Sequence, residues 1–299
     1  MYAPDRLAAL AAVVDGGTFE AAARALHVTP SAVSQRVRAL EQQVGQVVVT
    51  RAAPCRPTAT GEVLLGLARQ TALLAAETSE RLGEAGGVRR VAVAVNADSL
   101  ATWFRTVMAE VAGWEGVALE LHVADQDRTT RLLREGRVLA AVTADAAPVQ
   151  GCSSQPLGAM RYHPVAAPSL LDAARDPSGG LDWRRVPMVR FDEDDALQHD
   201  WLADRGHAPP DVVHRVPTTA DLFAAIRCGL GWGMLLDHQL REARDLLRLA
   251  EEPVLVGLHW QRWRVDSPTL ARLTDAVVAA SAPGGRGASV AQRPSHETR

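Results

Sequence analysis

The side chains best suited to bind another molecule lie on one side of a short segment near the amino terminus. When residues 30–44 are placed on a helix of about 100° per residue, one face holds the apolar side chains Val33, Val37, Leu40 and Val44, which are predicted to be buried. Six hydrogen-bonding side chains lie opposite or beside that face: Ser31, Ser34, Gln35, Arg36, Arg38 and Gln42. Such a face suits the base edges and phosphates of duplex DNA. On polarity alone, an ordinary solvated helix face fits equally well.

The flanking residues predict how this segment is held. Thr29 is placed to cap the helix and Pro30 to occupy its first position, where a missing N–H costs nothing. Before it, residues 18–26 predict a short alanine-rich helix capped by Thr18, and residues 7–14 carry apolar side chains at helical spacing. Two helices joined by a short turn, the second with a polar and cationic outer face, predict a helix-turn-helix.

The run from Phe19 to Glu41 resembles the amino-terminal signature of LysR-type transcriptional regulators, with its Pro30-Ser31 turn in register. The resemblance continues through a wing strand at 47–49 and a run at 57–61 that enters the next helix. It implies a winged helix-turn-helix domain over residues 1–59. The residues implied to bind DNA are Thr29, Pro30, Ser31, Ser34, Gln35, Arg36, Arg38 and Arg51.

Residues 60–87 predict a linker helix that pairs two copies of the chain. Steps of three and four residues, the spacing of a coiled-coil seam, connect Leu64, Leu67, Thr71, Leu74, Thr78 and Leu82. Glycines 83, 86 and 87 are expected to end the helix and form a hinge. The alternative is a helix that packs only on its own domain.

Beyond residue 87, β-branched runs alternate with helical stretches. This pattern predicts βαβ units, a largely parallel sheet and two α/β lobes with a ligand cleft between them. Lobe 1 is expected to take residues 88–160 and 266–281, and lobe 2 residues 161–265. Residues 282–299, rich in Gly, Ser, Pro and Arg, are expected to be a disordered tail. The fold class is therefore α+β and multidomain, with an effector domain like periplasmic binding proteins.

Residues 88–281 resemble the LysR effector domain, and more narrowly that of LysG/ArgP-type regulators of basic amino-acid export. The strings that carry this resemblance are 93–104, 125–127, 151–152, 229–234 and 260–268. The resemblance implies a regulator that senses lysine, arginine or histidine and activates an exporter gene, without a cofactor. Its implied partners are duplex DNA, the basic amino acid, further copies of the chain and RNA polymerase. A LysR-type regulator with another effector is the alternative.

The candidate effector-binding residues follow from this reading. Ser99, at the start of a helix after a strand, offers a hydroxyl and a helix amino end for an α-carboxylate. Aspartates that follow strands suit the ammonium groups, although a loop aspartate more often only caps a turn. The full set is Asp98, Ser99, Thr102, Trp103, Asp125, Asp127, Thr143, Asp145, Asp192, Thr218 and Thr219. For the last two, plain helix capping is the alternative.

Composition excludes several other classes of protein. The chain has 299 residues, enough for two or three domains, and a net charge of −3. All 32 basic residues are arginine. Residues 1–90 hold 10 of them against eight acidic residues, so this part of the chain is mildly basic and residues 91–299 are acidic. The apolar run 7–14 is too short to cross a membrane and lacks the positive leader of a secretion signal.

The remaining signals favour a cytoplasmic protein without catalytic activity. Cys55, Cys152 and Cys228 are few and far apart, which predicts neither disulfides nor a zinc site. The sequence has no nucleophile elbow, no metal-spaced histidine pair and no phosphate loop, and the glycines at 229, 231 and 233 do not complete a dinucleotide motif. A solute receptor would share the two lobes but would not need residues 1–60.

Overall fold

The computed structural model describes residues 1–84, 87–123, 126–172, 174–175 and 180–282, without the side chains of residues 126 and 127. The amino-terminal domain holds three helices and a two-stranded wing, followed by a long helix. These elements are α1 (Pro4–Gly16), α2 (Phe19–Ala25), α3 (Pro30–Val44), β1 (Val49–Thr50), β2 (Arg56–Pro57) and α4 (Ala59–Arg81).

The predicted helix-turn-helix forms through the predicted caps. Thr29 Oγ1 accepts a hydrogen bond from the backbone N–H of Ala32 at 3.2 Å, and Pro30 occupies the first position of α3. The apolar stripe of α3 packs with residues of α1 and α2: Val33, Val37 and Leu40 are fully buried, and Val44 is half-buried against the same core. Because the stripe is anchored in this core, the opposite side of α3 faces outward.

The linker helix α4 differs from its predicted seam at one end. Leu64 is buried in the core of the amino-terminal domain and is not part of an outward seam. Leu67, Leu74 and Leu82 are exposed, with 39%, 38% and 70% of their surface accessible, so an apolar stripe remains along the rest of the helix. Large apolar side chains in such a row are typical of a surface that pairs with another chain.

Twelve helices and strands make up the first section of the described carboxyl-terminal part. They are β3 (Arg89–Val95), α5 (Ala97–Ala101), α6 (Phe104–Val111), β4 (Val117–Val123), α7 (Gln126–Arg134), β5 (Ala140–Thr143), β6 (Cys152–Ala166), α8 (Pro168–Asp172), β7 (Met188–Arg190), α9 (Leu197–Ala203), β8 (Val213–Arg215) and α10 (Thr219–Arg227). They are followed by β9 (Gly233–Leu236), α11 (Asp237–Glu242), β10 (Leu247–Arg248), β11 (Val254–Trp263) and α12 (Pro268–Ser281).

The main sheet is mixed rather than largely parallel. Its strands follow the order β10-β6-β11-β5-β3-β4, and β9 also pairs with β6. Strand β3 runs parallel to β4 and β5, as the βαβ pattern predicts, but β6 and β11 pair antiparallel with each other and with their other neighbours. The expectation of a largely parallel sheet is wrong because the two long strands that connect the lobes run in opposite directions.

Each lobe has its own core, and β6 and β11 cross between them. The lobe 1 core includes Phe104, Trp260 and Leu273, whereas the lobe 2 core includes Trp201 and Trp232. The second half of β11, expected in lobe 2, pairs with β5 of lobe 1. Residues 283–299 of the expected tail and residues 85 and 86 of the expected hinge lie outside the described residues. Within the described part of the chain, no helix combines the length and apolarity that a membrane span requires.

Candidate nucleic-acid interface and effector site

The outer face of α3 is open over most of its length. Ser31, Gln35 and Arg38 are exposed, and Ser34 is half-buried on the flank. Thr29 is also exposed, although its hydroxyl already caps the helix and contacts the Ser31 hydroxyl at 3.0 Å. The face therefore presents hydroxyl, amide and guanidinium groups, which are groups that hydrogen-bond to base edges and phosphates.

Two of the predicted DNA-binding arginines contact other parts of the same domain. Arg36 Nε pairs with the Asp5 carboxylate of α1 at 3.3 Å. Arg51, in the wing, lies 3.9 Å from the Glu41 carboxylate, and its guanidinium lies 5.7 Å from the centre of the Phe19 ring. These pairs are partly exposed, so they hold each arginine loosely.

A cavity of about 310 Å³ lies between the two lobes. Lobe 1 contributes the amino end of α5, while lobe 2 contributes the loop after β7, helix α9 and the amino end of α10. The size suits one amino acid, and the position matches the predicted interlobe cleft. Its lining comprises Asn96, Ala97, Asp98, Tyr162, Phe191, Asp194, Asp195, Ala196, Leu197, Gln198, Asp200, Thr219, Leu222, Met234 and Gln239.

Asp98 lies where three structural elements meet in this cavity. Its carboxylate accepts a hydrogen bond from the Tyr162 hydroxyl at 2.7 Å and another from the Thr219 hydroxyl of lobe 2 at 3.1 Å. Burial raises the pKa of Asp98 above its ordinary value, and the negative charge of Asp195 raises it further, against the opposing effect of the two hydrogen bonds. A cation beside Asp98 would stabilise the charged carboxylate that burial disfavours.

The lining is rich in hydrogen-bond acceptors and negative charge. Asp194, Asp195 and Asp200 join Asp98, and among the residues that the structure describes no arginine or histidine lines the cavity. Two neutral side chains add acceptors, because Asn96 Oδ1 and Gln198 Oε1 are buried with no hydrogen-bond partner in the described structure. Buried acceptors of this kind require donors, so the cavity is suited to a cation that carries several N–H groups.

Hydrogen bonds to the backbone hold the side chains of Asp195 and Gln198 in place. The Asp195 carboxylate accepts from the backbone N–H groups of Phe191 at 3.0 Å and Leu197 at 3.3 Å. Gln198, in α9, donates its amide N–H to the Val189 carbonyl at 3.3 Å. Its Oε1 atom takes no part in this hydrogen bond and has no partner in the described structure. A side chain that is held before a ligand arrives loses less conformational freedom on binding.

The structure brings Asp98 and Thr219 to the cavity but not most of the other predicted effector residues. Ser99 is fully buried and its hydroxyl contacts Met160 Sδ at 3.7 Å. Thr102 donates to the Asp98 carbonyl, and Trp103 packs on the lobe 1 core. The others that do not line the cavity have local roles: Thr143 contacts Thr130, Asp145 and Asp192 accept from nearby backbone N–H groups, and Thr218 caps α10. Asp125 lies outside the described residues, and so does the side chain of Asp127.

Several lining residues were not identified from the sequence. Tyr162 lies on β6, a strand that the sequence analysis did not predict, so no pattern linked it to Asp98. The acidic run 192–195 contained a usable signal, but only its first member was chosen. Asp192 turns its carboxylate to the backbone N–H groups of Asp194 and Asp195, and this turn directs those two residues toward the cavity.

Two family models match almost the whole chain. Residues 4–62 match the model described as "Bacterial regulatory helix-turn-helix protein, lysR family", and residues 83–282 match the "LysR substrate binding domain". The chain belongs to the LysR family. It is therefore a DNA-binding transcriptional regulator with an amino-terminal helix-turn-helix and a two-lobed effector domain, and not an enzyme.

Individual relatives are similar to this LysR-family regulator over nearly their full length. The "Lysine export transcriptional regulatory protein LysG" of Corynebacterium efficiens is 48% identical over 95% of this chain and 99% of its own. The structure of full-length LysG from Corynebacterium glutamicum with bound effector Arg is 44% identical, with a TM-score of 0.75 over 93% and 98% of the two chains. That of ArgP from Mycobacterium tuberculosis is 45% identical, with a TM-score of 0.80 over 94% and 97%.

Proposed function

We propose that this LysR-family regulator is a cytoplasmic sensor of a basic amino acid, arginine, lysine or histidine, and that it activates a gene for an amino-acid exporter. The observation that carries the proposal is the cavity between the lobes, which has four carboxylates and no cationic side chain among its described lining residues. The relatives support it, since one is named for lysine export and another is titled with bound arginine.

The two ends of a basic amino acid find complementary groups in the cavity. Its ammonium or guanidinium N–H groups can donate to Asp98, Asp194, Asp195 and Asp200, which lie on both lobes. Its α-carboxylate requires donors, and the amino end of α10, which begins at Thr219, supplies backbone N–H groups with a favourable dipole. A neutral amino acid of the same shape would leave Asp98, whose charged form is disfavoured by burial, without a counter-charge.

DNA binding in this proposal uses two copies of the chain. The copies pair through the exposed stripe of Leu67 and Leu74 of α4 and Leu82, which caps the helix, so that two α3 helices read two half-sites. Ser31, Ser34, Gln35 and Arg38 are the residues proposed to contact DNA directly, with Thr29 and Pro30 setting the start of the helix. Arg36 and Arg51 can also bind phosphates, because each ion pair uses one guanidinium nitrogen and leaves other N–H groups of a partly exposed side chain.

Calorimetry with matched ligand pairs tests the effector. L-arginine and L-citrulline have nearly the same shape, but citrulline lacks the positive side-chain charge, and L-lysine and L-norleucine form a second such pair. We expect binding of arginine or lysine and at least a tenfold preference over the neutral partner, because only the charged ligand makes charge-assisted hydrogen bonds to the carboxylates that line the cavity. Equal affinity within each pair, or no binding of either, would contradict a basic effector and favour a LysR-type regulator of another ligand.

A gel-shift series tests the regulatory part. DNA selected by the purified protein from a random library should bind with an affinity that falls steeply as salt rises, because bound arginines release counterions. The selected sequence should then be found upstream of an exporter gene, and a reporter fused to that promoter should respond to the amino acid only when the regulator is present. A response that persists without the regulator would contradict the proposal.

A further inference from the structure

The linker helix α4 belongs to two hydrophobic cores. Leu64 and Ala68 pack in the core of the DNA-binding domain, whereas Leu73 is 2% exposed and packs in the core of lobe 1. A helix that only connected two independent bodies would keep its middle turns in solvent. Since α4 contributes to both cores, it joins the DNA-binding domain and lobe 1 along its length.

At one point, the backbone of α4 lies directly against the backbone of lobe 1. Gly136 follows α7 with a φ of +63°, and a Cβ added to it would lie 2.3 Å from Gly66 N and 2.4 Å from Gly66 Cα in α4. Such atoms cannot move aside as a flexible side chain can, so any larger residue at 136 must push the helix away from lobe 1. A Cβ on Gly66 meets its nearest neighbours only at 3.5 Å.

Arg69, one turn after Gly66 in α4, lies beside this backbone contact. One guanidinium nitrogen donates to the Gly136 carbonyl at 2.7 Å, and the other pairs with the Asp15 carboxylate at the end of α1. Only 14% of the Arg69 side chain is exposed. A single side chain therefore ties the DNA-binding domain to lobe 1, beside the backbone contact.

Glu77 makes a second attachment further along α4. Its buried carboxylate accepts from the Ser267 hydroxyl at 2.6 Å and from the backbone N–H of Thr269 at 3.0 Å. These donors lie at the amino end of α12, which packs on lobe 1. A carboxylate at this end of a helix is favoured by the exposed N–H groups and by the dipole.

We propose that Gly66, Arg69, Gly136 and Asp15 form a junction that positions the DNA-binding domain on lobe 1, so that a ligand in the cavity moves lobe 2 against a body that includes the recognition helix. The part of this inference that concerns the ligand rests on the proposed function. Each of the joined domains has a core of its own, so the junction is not needed to fold either one. A variant without the junction still binds the effector and still binds DNA. Effector binding then no longer changes the affinity for DNA.

The test uses the full-length chain with Gly136→Ala and Arg69→Met. Gly116→Ala is the matched control, because Gly116 has nearly the same φ, +64°, but its Cβ would meet only the Arg89 guanidinium, at 3.4 Å. Both substitutions to alanine carry the same backbone strain, and only the one at 136 opens the junction. Arg69→Met keeps the apolar stem and removes both polar contacts, so it provides a second variant without backbone strain.

Small-angle scattering gives a readout that does not depend on any ligand. We expect a larger radius of gyration for Gly136→Ala and Arg69→Met than for the wild type and Gly116→Ala, each measured at the same oligomeric state. An unchanged radius in both junction variants would overturn the proposed junction. This measurement remains decisive if the wild type binds no amino acid, an outcome that would contradict only the proposed function.

Binding measurements then test the positioning role. With L-arginine and the DNA selected by the wild type, we expect both junction variants to keep their arginine affinity and their affinity for a single half-site within about twofold. The change in DNA affinity that arginine causes in the wild type should fall toward a ratio of 1. A wild-type response in both variants would overturn the positioning role, whereas a merely structural role would lower the melting temperature and both affinities together.

Discussion

Replacing Asp98 by asparagine removes a negative charge from the effector cavity and keeps the shape of the cavity. Asparagine has the same size, can still accept from the Tyr162 hydroxyl, and can donate its amide N–H to the Thr219 hydroxyl. What it removes is one of the four carboxylates that face the cavity. A hydrogen bond to a charged group contributes about 1.5–3 kcal/mol, whereas a neutral one contributes about 0.5–1.5 kcal/mol.

The difference of about 1–2 kcal/mol predicts an arginine affinity that is roughly 5- to 30-fold weaker in Asp98→Asn, because 1.4 kcal/mol corresponds to a factor of ten. The unliganded protein should melt no lower than the wild type, since burial raises the pKa of Asp98 and the substitution removes a charge that the fold disfavours. Calorimetry with L-arginine and a thermal melt provide the two measurements.

The control is Asp145→Asn, because Asp145 caps the backbone N–H of Ala147 and does not line the cavity. Its arginine affinity should equal that of the wild type. The reasoning is refuted if Asp98→Asn binds arginine as tightly as the wild type. It is also refuted if the melting temperature of the unliganded Asp98→Asn protein falls substantially, since that would make Asp98 a structural residue.

Three further outcomes are expected. Because burial raises the pKa of Asp98, arginine affinity measured by calorimetry should decline as pH falls through that pKa, and the decline should be smaller in Asp98→Asn. Arg38→Ala should weaken DNA binding in gel shifts and leave arginine affinity unchanged; its slope of log affinity against log salt should decrease by about 1 if Arg38 contacts a phosphate. Leu74→Glu should convert the paired chain to a monomer in ultracentrifugation, because it puts a charge in the exposed stripe of α4; Glu80→Gln, which changes the charge at an exposed position outside the stripe, should leave the pairing unchanged.

The DNA-binding domain could be predicted in detail because its signals are local. Thr29 and Pro30 set the start of α3, and the buried positions of its stripe follow from a period of 3.6 residues. The ion pair between Arg36 and Asp5 could not be predicted, since it depends on how α1 crosses α3. Periodicity gives the face of a helix on which a residue lies but not the neighbour that it contacts.

The effector cavity was predicted less completely because long-range pairing forms it. Strand β6 covers residues 152–166, but its mixture of serine, proline, glycine and arginine hides the alternation by which strands are recognised. Without β6, neither the antiparallel connection between the lobes nor the contact of Tyr162 with Asp98 could be inferred. The sequence predicts Ser99 for the α-carboxylate and Asp98 among the candidates for the ammonium groups, but only Asp98 lines the cavity, because Ser99 is fully buried.

The arrangement of carboxylates gives a reason why a cation can favour one position of the lobes. Asp98 lies on lobe 1 and Asp195 on lobe 2; burial is the main cause of the raised pKa of Asp98, and repulsion from Asp195 adds to it. A bound cation that contacts both replaces this repulsion with attraction, but only when the lobes are as close as they are here. Two charged hydrogen bonds, one to each lobe, that form only when the lobes are this close contribute about 3–6 kcal/mol, and about 5.5 kcal/mol suffices to move an equilibrium from 1:99 to 99:1. A ligand that contacted one lobe alone would bind open and closed states equally and would shift nothing, so acidic residues on both sides of the cleft are a requirement of the switch.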